Sequence, residues 1–387
     1  MPDLFNDDNL TDILGRFEQN GFSAFVVGGA VRDALLGREV NDYDIASSAL
    51  PEQVKTLFSD CTVVDTGIMH GTVTVVFKGV AYEVTTFRSE GGYSDSRHPD
   101  SVAFSKSVLT DLARRDFTIN AIAYSQKAGL VDPYSGREDC KNGVIRAVGD
   151  ARTRFSEDAL RILRALRFSS TLGFTIEKGT ADAIFELADK IKFVSRERVY
   201  AELRGIVTGG NALEVIEDYR PVVEKIAPAE SDISALDRLP CEAAMRFACL
   251  FGKNAVAALR SLHADKATST LVSYLADSEP IPDTVTGVKR FVSRYGRELS
   301  VKIAQYRRAT YSEDEDRLTE SVAGSDDCLS ISELAVNGVD LINLGITGRS
   351  VGNALGYLLD NVVEGALENE RETLIEAAKK YVDITRE

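Results

Sequence analysis

Apolar residues along the first ninety positions alternate between a helical and an extended period. Leu10 to Asn20 has helical apolar spacing and ends at Asn20-Gly21, a stop signal. Phe22 to Val27 is a short apolar strand that runs into Gly28-Gly29. Val31 to Leu36 reads as a helix closed by Gly37, Asp42 to Ala46 as a strand, and Leu50 to Phe58 as a helix with Pro51 in its first turn. Gly71 to Phe77 and Val80 to Phe87 are β-branched and joined by Lys78-Gly79, which predicts a hairpin.

The pattern then breaks. Arg88 to Ser107 is rich in Gly, Ser, Asp and Arg and has no sustained period, so it reads as a long polar loop, a functional or mobile segment. Helical spacing returns at Leu109 and carries through RRDFTINAIAY to Tyr124. A turn-rich connector follows at Asp132 to Gly136, and a short strand near Val144 to Val148. After Asp150 strand signals fade. Thr153 to Phe168 reads as one strong helix, and most of the rest is helical, with breaks at Gly209-Gly210, Pro228 to Asp232, Pro280 to Pro282 and Gly324 to Asp326. The layout is a mixed α/β amino-terminal part followed by a long all-helical one.

Composition narrows the class. A chain of 387 residues with 44% hydrophobic and 27% charged residues is an ordinary globular protein with room for several domains. No apolar stretch approaches a membrane span, and the acidic start is no secretory signal, so no membrane partner is expected. The five cysteines are scattered, with no CxxC pair, which supports neither a zinc site nor a disulfide framework and fits a cytoplasmic setting. The net charge of −15 taken alone argues against a nucleic-acid partner, but the arginines are clustered.

Three groups of residues carry candidate chemistry. In the first, Gly28 and Gly29 let a phosphate approach the backbone at a helix start, with Arg32 one turn on. Asp42 and Asp44, two apart on a strand, project together and suit a divalent metal, and Glu83 on a later strand is a possible third carboxylate. No GxxxxGK[ST] loop occurs. In the second, Arg115 can pair with a phosphate, while Asp116 and Asn120, four apart on a helix, can bond a ribose hydroxyl. In the third, Glu157-Asp158-x-x-Arg161-x-x-Arg164-x-x-Arg167 sets Asp158 and Arg161 on one helix side. Each also has a plain reading: a glycine turn, a charged helix start, a solvated ion-pair ladder.

Asp158 and Arg161 are the more informative pair. Ionised aspartate only accepts hydrogen bonds, and arginine only donates them. Cytosine and adenine both present an exocyclic amine beside a ring acceptor, whereas uracil and guanine present a carbonyl beside a ring N–H. An Asp/Arg pair therefore admits C and A and rejects U and G, because a mismatch leaves buried groups unpaired. A fourth segment, Glu197-Arg198 with Glu202-Leu203, reads either as a clamp across helices or as a plain amphipathic helix.

In this order, GGAVRD…DYD, RRDFTIN, EDALR and ERVYAEL resemble the motifs of the class II tRNA nucleotidyltransferases, the CCA-adding enzymes, and the related bacterial poly(A) polymerases, from about Phe25 to Leu203. The stretch from Leu334 resembles the tail of the bacterial members, and about Ser231 to Asp326 carries no match. The resemblance implies an α+β, polymerase-β-like nucleotidyltransferase head over 1–150. It also implies an all-α neck at 151–215 for base selection, a body at 216–326, and a tail at 327–387 for tRNA. It implies that the tRNA 3′ hydroxyl attacks the α-phosphate of CTP or ATP and releases pyrophosphate. Asp42 and Asp44 would hold Mg2+, Gly29 and Arg32 would meet the phosphates, and Arg115 the ribose and phosphate region. Asp158 and Arg161 would read the base, with Arg164 and Arg167 in support. The 88–107 segment would be the loop that goes with addition of the terminal A. An enzyme that adds only A beside a CC-adding partner shares these motifs and stays open, as does poly(A) addition. Two intact aspartates speak against a non-enzymatic RNA-binding protein.

Overall fold

The computed structural model describes residues 4–5, 7–40, 42–91, 101–311 and 316–386. The chain divides into two compact units. One comprises Met1–Ala229 with Ala257–Ala264, and the other Glu230–Val256 with Asp265–Glu387.

The first unit is built on a mixed sheet. Its amino-terminal half runs α1 (Asp8–Gln19), β1 (Ala24–Val27), α2 (Gly29–Leu35), β2 (Asp44–Ser47), α3 (Pro51–Leu57), β3 (Thr62–Gly67), β4 (Thr72–Phe77), β5 (Val80–Thr86), β6 (Arg88–Gly91) and β7 (Ser101–Phe104). It continues through α4 (Val108–Ala113), β8 (Ala123–Ser125), β9 (Gly129–Val131), α5 (Gly136–Asn142) and β10 (Val144–Ile145). Among the described residues, seven strands form one sheet in the order β3-β4-β5-β2-β1-β8-β9. Only β2 and β5 pair in parallel within it, with Asp44 opposite Glu83. Phe25, Val27, Ala46, Phe87, Leu112 and Ala123 pack one core against this sheet. The expected hairpin forms, and its turn residues Lys78 and Gly79 both have positive φ (49° and 83°), the twist that two-residue hairpins favour.

The helical half of this unit begins with α6 (Ala151–Glu157) and α7 (Leu160–Leu172), continues through β11 (Thr175–Ile176) and α8 (Lys178–Leu187), and reaches α9 (Arg196–Val207), which packs along α7. The second unit is helical. Phe247 and Phe251 of the helix Ala243–Phe251 stack at 6.2 Å, and Val288, Val292 and Ile303 of the helices Val285–Tyr295 and Arg297–Tyr311 are buried. No described helix is long and apolar enough to cross a membrane.

The structure corrects several expectations. β2 starts at Asp44, not Asp42, because its partner β1 ends at Val27 and Gly28 then turns away with φ 72°. Asp42 is therefore outside the strand. The helix expected through Tyr124 stops at Ala113. Beyond it the backbone bonds elsewhere: Thr118 N–H donates to Arg146 O, Val148 N–H to Asp116 O, and Phe117 bridges Ala147. Asp116 and Asn120 thus share no α-helix. The helix expected over 153–168 is two helices, broken at Asp158, whose backbone is extended (φ −144°, ψ 107°) and whose carboxylate accepts from Leu160 N–H at 3.0 Å. The expected loop 88–107 is paired at both ends as the β6–β7 ribbon, while 92–100 lie outside the described residues. The strand near Val144 is two residues long and pairs with β11, past the point where strand signals fade.

Candidate active site

β1 delivers the chain into Gly28, whose φ of 72° and ψ of −132° only glycine adopts without strain. A Cβ there would sit 2.9 Å from Arg115 NH1 and 3.9 Å from Asp44 Oδ2. The glycine turn, Arg115 and Asp44 therefore form one close cluster. α2 starts at Gly29 with no side chain capping it, which leaves its first N–H groups without a side-chain partner among the described residues.

Asp44 and Glu83 are neighbours on parallel strands and project to the same face. The packed sheet desolvates the Asp44 carboxyl and pushes its pKa up. Arg115 opposes that shift, and Asp42 adds to it. Desolvation, then Asp44, push Glu83 up as well. Asp44 thus stands between a like charge on Asp42 and an opposite one on Arg115. Among the described residues no three His, Cys, Asp or Glu side chains converge as a metal group. A pair of hard oxygen donors, Asp42 and Asp44, suits a divalent cation that takes its other ligands from water and phosphate.

The arginines are held from behind. Asp111 is fully buried and binds two of them: Arg114 Nε and NH2 donate to it at 2.9 and 2.7 Å, and Arg115 NH2 at 3.2 Å. Arg115 Nε is buried with no hydrogen-bond partner among the described residues. Arg32 is clasped by Asp33 through Nε and NH2, both at 2.9 Å, and donates to Asn120 Oδ1 at 2.8 Å. Asn120 in turn donates to Asp116 Oδ1 at 3.2 Å, beside the Phe117 N–H at 2.8 Å. Arg164 Nε and NH2 both reach Asp116 Oδ2 at 2.7 Å. Burial alone would raise the Asp116 pKa, but Arg164 and these hydrogen bonds outweigh it and hold the carboxyl at about 2. The network runs on to Glu202, which accepts from Arg167 Nε at 2.6 Å. It joins α2 of the sheet half to α7 and α9 of the helical half.

One ring gathers three of these cations. The guanidinium carbons of Arg32, Arg164 and Arg167 lie 5.2, 5.4 and 4.3 Å from the centre of Phe168, which is itself buried edge-on against Phe117 at 5.8 Å. Gly205 on α9 makes room for Arg167, since a Cβ there would stand 2.4 Å from Arg167 Cδ.

Asp158 and Arg161 are each held by other residues. Arg198 NH2 donates to Asp158 Oδ2 at 2.6 Å. Arg161 NH1 donates to Glu157 Oε2 at 2.6 Å and Arg154 O at 3.1 Å, and its NH2 to Arg114 O at 3.2 Å. A guanidinium has five N–H donors. Among the described residues, Nε–H and one N–H of NH2 on Arg161 have no partner. Of the two readings of the Glu197–Leu203 segment, the clamp is the one seen: on α9 Arg198 holds Asp158 and Glu202 holds Arg167, whereas Glu197 turns to His263 at 2.7 Å.

Along the whole chain, 38% of residues are identical to the CCA-adding enzyme of Leuconostoc mesenteroides, over 99% of this chain and 98% of that one. The chain belongs to the CCA-adding enzymes. The enzyme of that name from Geobacillus stearothermophilus is 39% identical over 94% of both chains. The crystal structure of the Bacillus stearothermophilus CCA-adding enzyme in complex with CTP superposes with a TM-score of 0.83 at 32% identity, covering 100% of this chain and 99% of that one. The family model of the poly A polymerase head domain matches residues 24–146, and that of tRNA nucleotidyltransferase domain 2 matches residues 249–378. The expected head with its helical continuation is this family's fold, and dependence on a divalent metal comes with the family.

Sequence reasoning missed Asp111, Phe168 and Gly205. Asp111 had a legible signal, an acid three and four residues before Arg114 and Arg115. Phe168 and Gly205 had none, because their roles depend on helices that meet only in the fold.

Proposed function

We propose that this chain adds C, C and then A, without a template, to the 3′ end of tRNA, consuming CTP and ATP and releasing pyrophosphate. The observation that carries the reading is the Asp158–Arg161 pair. One presents a carboxylate acceptor, the other two open N–H donors, and both are fixed by residues behind them. That arrangement matches the edge shared by cytosine and adenine, and it leaves uracil and guanine with opposed donors and acceptors.

In this reading Asp42 and Asp44 hold Mg2+, as the oxygen-only donor pair favours. When bound, the metal would neutralise triphosphate charge and acidify the attacking hydroxyl. The chain's own groups do the rest. The N–H of Gly29 and the Arg32 guanidinium receive a phosphate, while Gly28, whose own N–H donates to Ile122 O at 3.3 Å, supplies the turn that lets the phosphate approach. Arg115, steadied by Asp111, meets the phosphate and ribose region. Asp116 and Asn120 act through Arg164 and Arg32, which they hold in place. Arg164 and Arg167, set on Phe168, support the base and triphosphate. Glu83, opposite Asp44 on the neighbouring strand, takes the proton from the tRNA 3′ hydroxyl as it attacks the α-phosphate. Residues 1–150 carry this chemistry and 151–215 choose the base, while the body at 216–326 and tail at 327–387 hold tRNA. The reaction takes place in the cytoplasm.

The test is incubation with tRNA lacking its 3′ end, Mg2+, and CTP and ATP singly and together. The expected product ends in CCA and is lost on chelation or in Asp42→Ala. Extension by A alone on tRNA-CC would replace this reading with A-only addition, and long A tracts on generic RNA would replace it with poly(A) synthesis.

A further inference from the structure

Asp42 precedes β2, so no strand ladder holds it. The side chain that fixes this stretch is Tyr43, between the two aspartates. Its ring meets Phe5 edge-on at 5.6 Å and 79°, and stacks on Tyr82 at 6.1 Å and 25°. Phe5 is 5% exposed and also packs edge-on against Tyr124 of β8 at 5.6 Å, while Leu4 N–H donates to the Tyr124 hydroxyl at 3.2 Å. Asp7, which caps α1 by accepting from Asn9 N–H and Leu10 N–H at 2.9 and 3.1 Å, lies beside the Tyr43 hydroxyl. Tyr43 and Tyr82 immediately precede the paired Asp44 and Glu83, so their rings occupy the opposite face of the sheet. The carboxylates and the aromatic cluster are two sides of one backbone step.

We propose that Phe5 and Tyr43 are positioning residues: Phe5 pins Tyr43 to the back of the sheet, and Tyr43 sets the direction of Asp42 relative to Asp44. The proposal rests on the reading that these aspartates hold a divalent metal. A carboxylate outside regular structure keeps ligand geometry only if its neighbours are fixed, and here the residues before α1 supply that fixing. Metal affinity is the property most exposed to such a fault, since supporting residues behind metal ligands typically set it over one to two decades.

The test is direct binding of Mn2+ in the presence of an unreactive CTP analogue, read from loss of the electron paramagnetic resonance signal of the free ion. Phe5→Ala is expected to weaken Mn2+ binding about 10-fold. Leu14→Ala, which empties buried apolar volume further along α1, should leave Mn2+ binding unchanged. If Phe5→Ala fails to fold, Phe5→Leu keeps apolar volume without the ring contact, and a smaller loss in the same direction is expected. Wild-type Mn2+ affinity in the folded Phe5 variant, or an equal loss in Leu14→Ala, overturns the proposal. Asp42→Ala separates the two failures. Mn2+ binding lost there but kept in the Phe5 variant sinks the positioning role alone. Mn2+ binding kept in Asp42→Ala sinks the carboxylate reading itself.

Discussion

Arg161 donates to Glu157 at 2.6 Å, four residues before it on the chain, and not to Asp158, which Arg198 holds at the same distance. The two groups proposed to face the base are therefore anchored separately. Replacing Arg161 with Ala removes the donor and leaves Asp158 anchored. Loss of one charge-assisted hydrogen bond, about 1.5–3 kcal/mol, should lower discrimination against UTP and GTP by about 10- to 100-fold. Single-turnover incorporation of each nucleotide measures this. Unchanged selectivity would show that another group reads the base. Glu157→Gln keeps the donor but loosens its hold, and should raise the KM for CTP and ATP more than it changes their ratio to UTP.

Gly28→Ala should be among the most damaging single substitutions. Its backbone angles disfavour any L side chain by about 1–3 kcal/mol, and the new Cβ would meet Arg115 NH1 at 2.9 Å. The expected result is a fall in kcat/KM for CTP of about 10-fold or more, with a cooperative melt retained. A variant with wild-type kcat/KM would separate the glycine turn from nucleotide binding.

The Asp116 carboxyl, held at about 2 against an ordinary 3.8, makes a signed contribution to stability. A depressed acid stabilises the fold above its unfolded pKa and loses that effect as pH falls through its folded one. The shift corresponds to about 2 kcal/mol at neutral pH. In urea unfolding, the gap between wild type and Asp116→Asn should be widest near pH 7 and narrow as pH drops from about 4 toward 2. A gap independent of pH would mean that the ion pair with Arg164 is not its source.

Gly71 supports the root of the β6–β7 ribbon. Its φ of 80° and ψ of 21° are left-handed, and a Cβ would lie 2.6 Å from Phe104 Cε1. Gly71→Ala costs about 1–2 kcal/mol in backbone energy and lifts the Phe104 ring off its seat. Hydrogen exchange should accelerate at residues 88–91 and 101–104. If this segment governs the terminal step, A addition should fall more than C addition in the same variant.

Legibility in the sequence followed locality. The strand, glycine turn and helix start at 24–35 could be read because they sit within one short stretch with fixed side-chain periods. The Lys78-Gly79 hairpin was legible for the same reason. The strand period extended to Asp42 failed, since β2 begins at Asp44. The break at Asp158 was not, because helical spacing continues through it and only the cap to Leu160 and the pull of Arg198 reveal an extended residue. The segment after Ala113 misled in a similar way: its apolar spacing suits a helix, but its backbone groups find partners at Arg146 and Val148, about thirty residues on. Residue types for the site were visible in order along the chain. What remained hidden was which carboxylate holds which arginine, since that depends on α7 and α9 lying side by side.

Gly205 shows what this means for engineering. It sits inside α9, where glycine is a poor helix former, and replacement by alanine is a standard route to added thermal stability, worth about 1 kcal/mol in an exposed helix. Here the added methyl would fall 2.4 Å from Arg167 Cδ, in the middle of a side chain whose head is fixed by Glu202 and Phe168. A stabilisation campaign guided by helix propensity would select this change early and displace an arginine of the candidate site, from a position that shows no functional signature in the sequence.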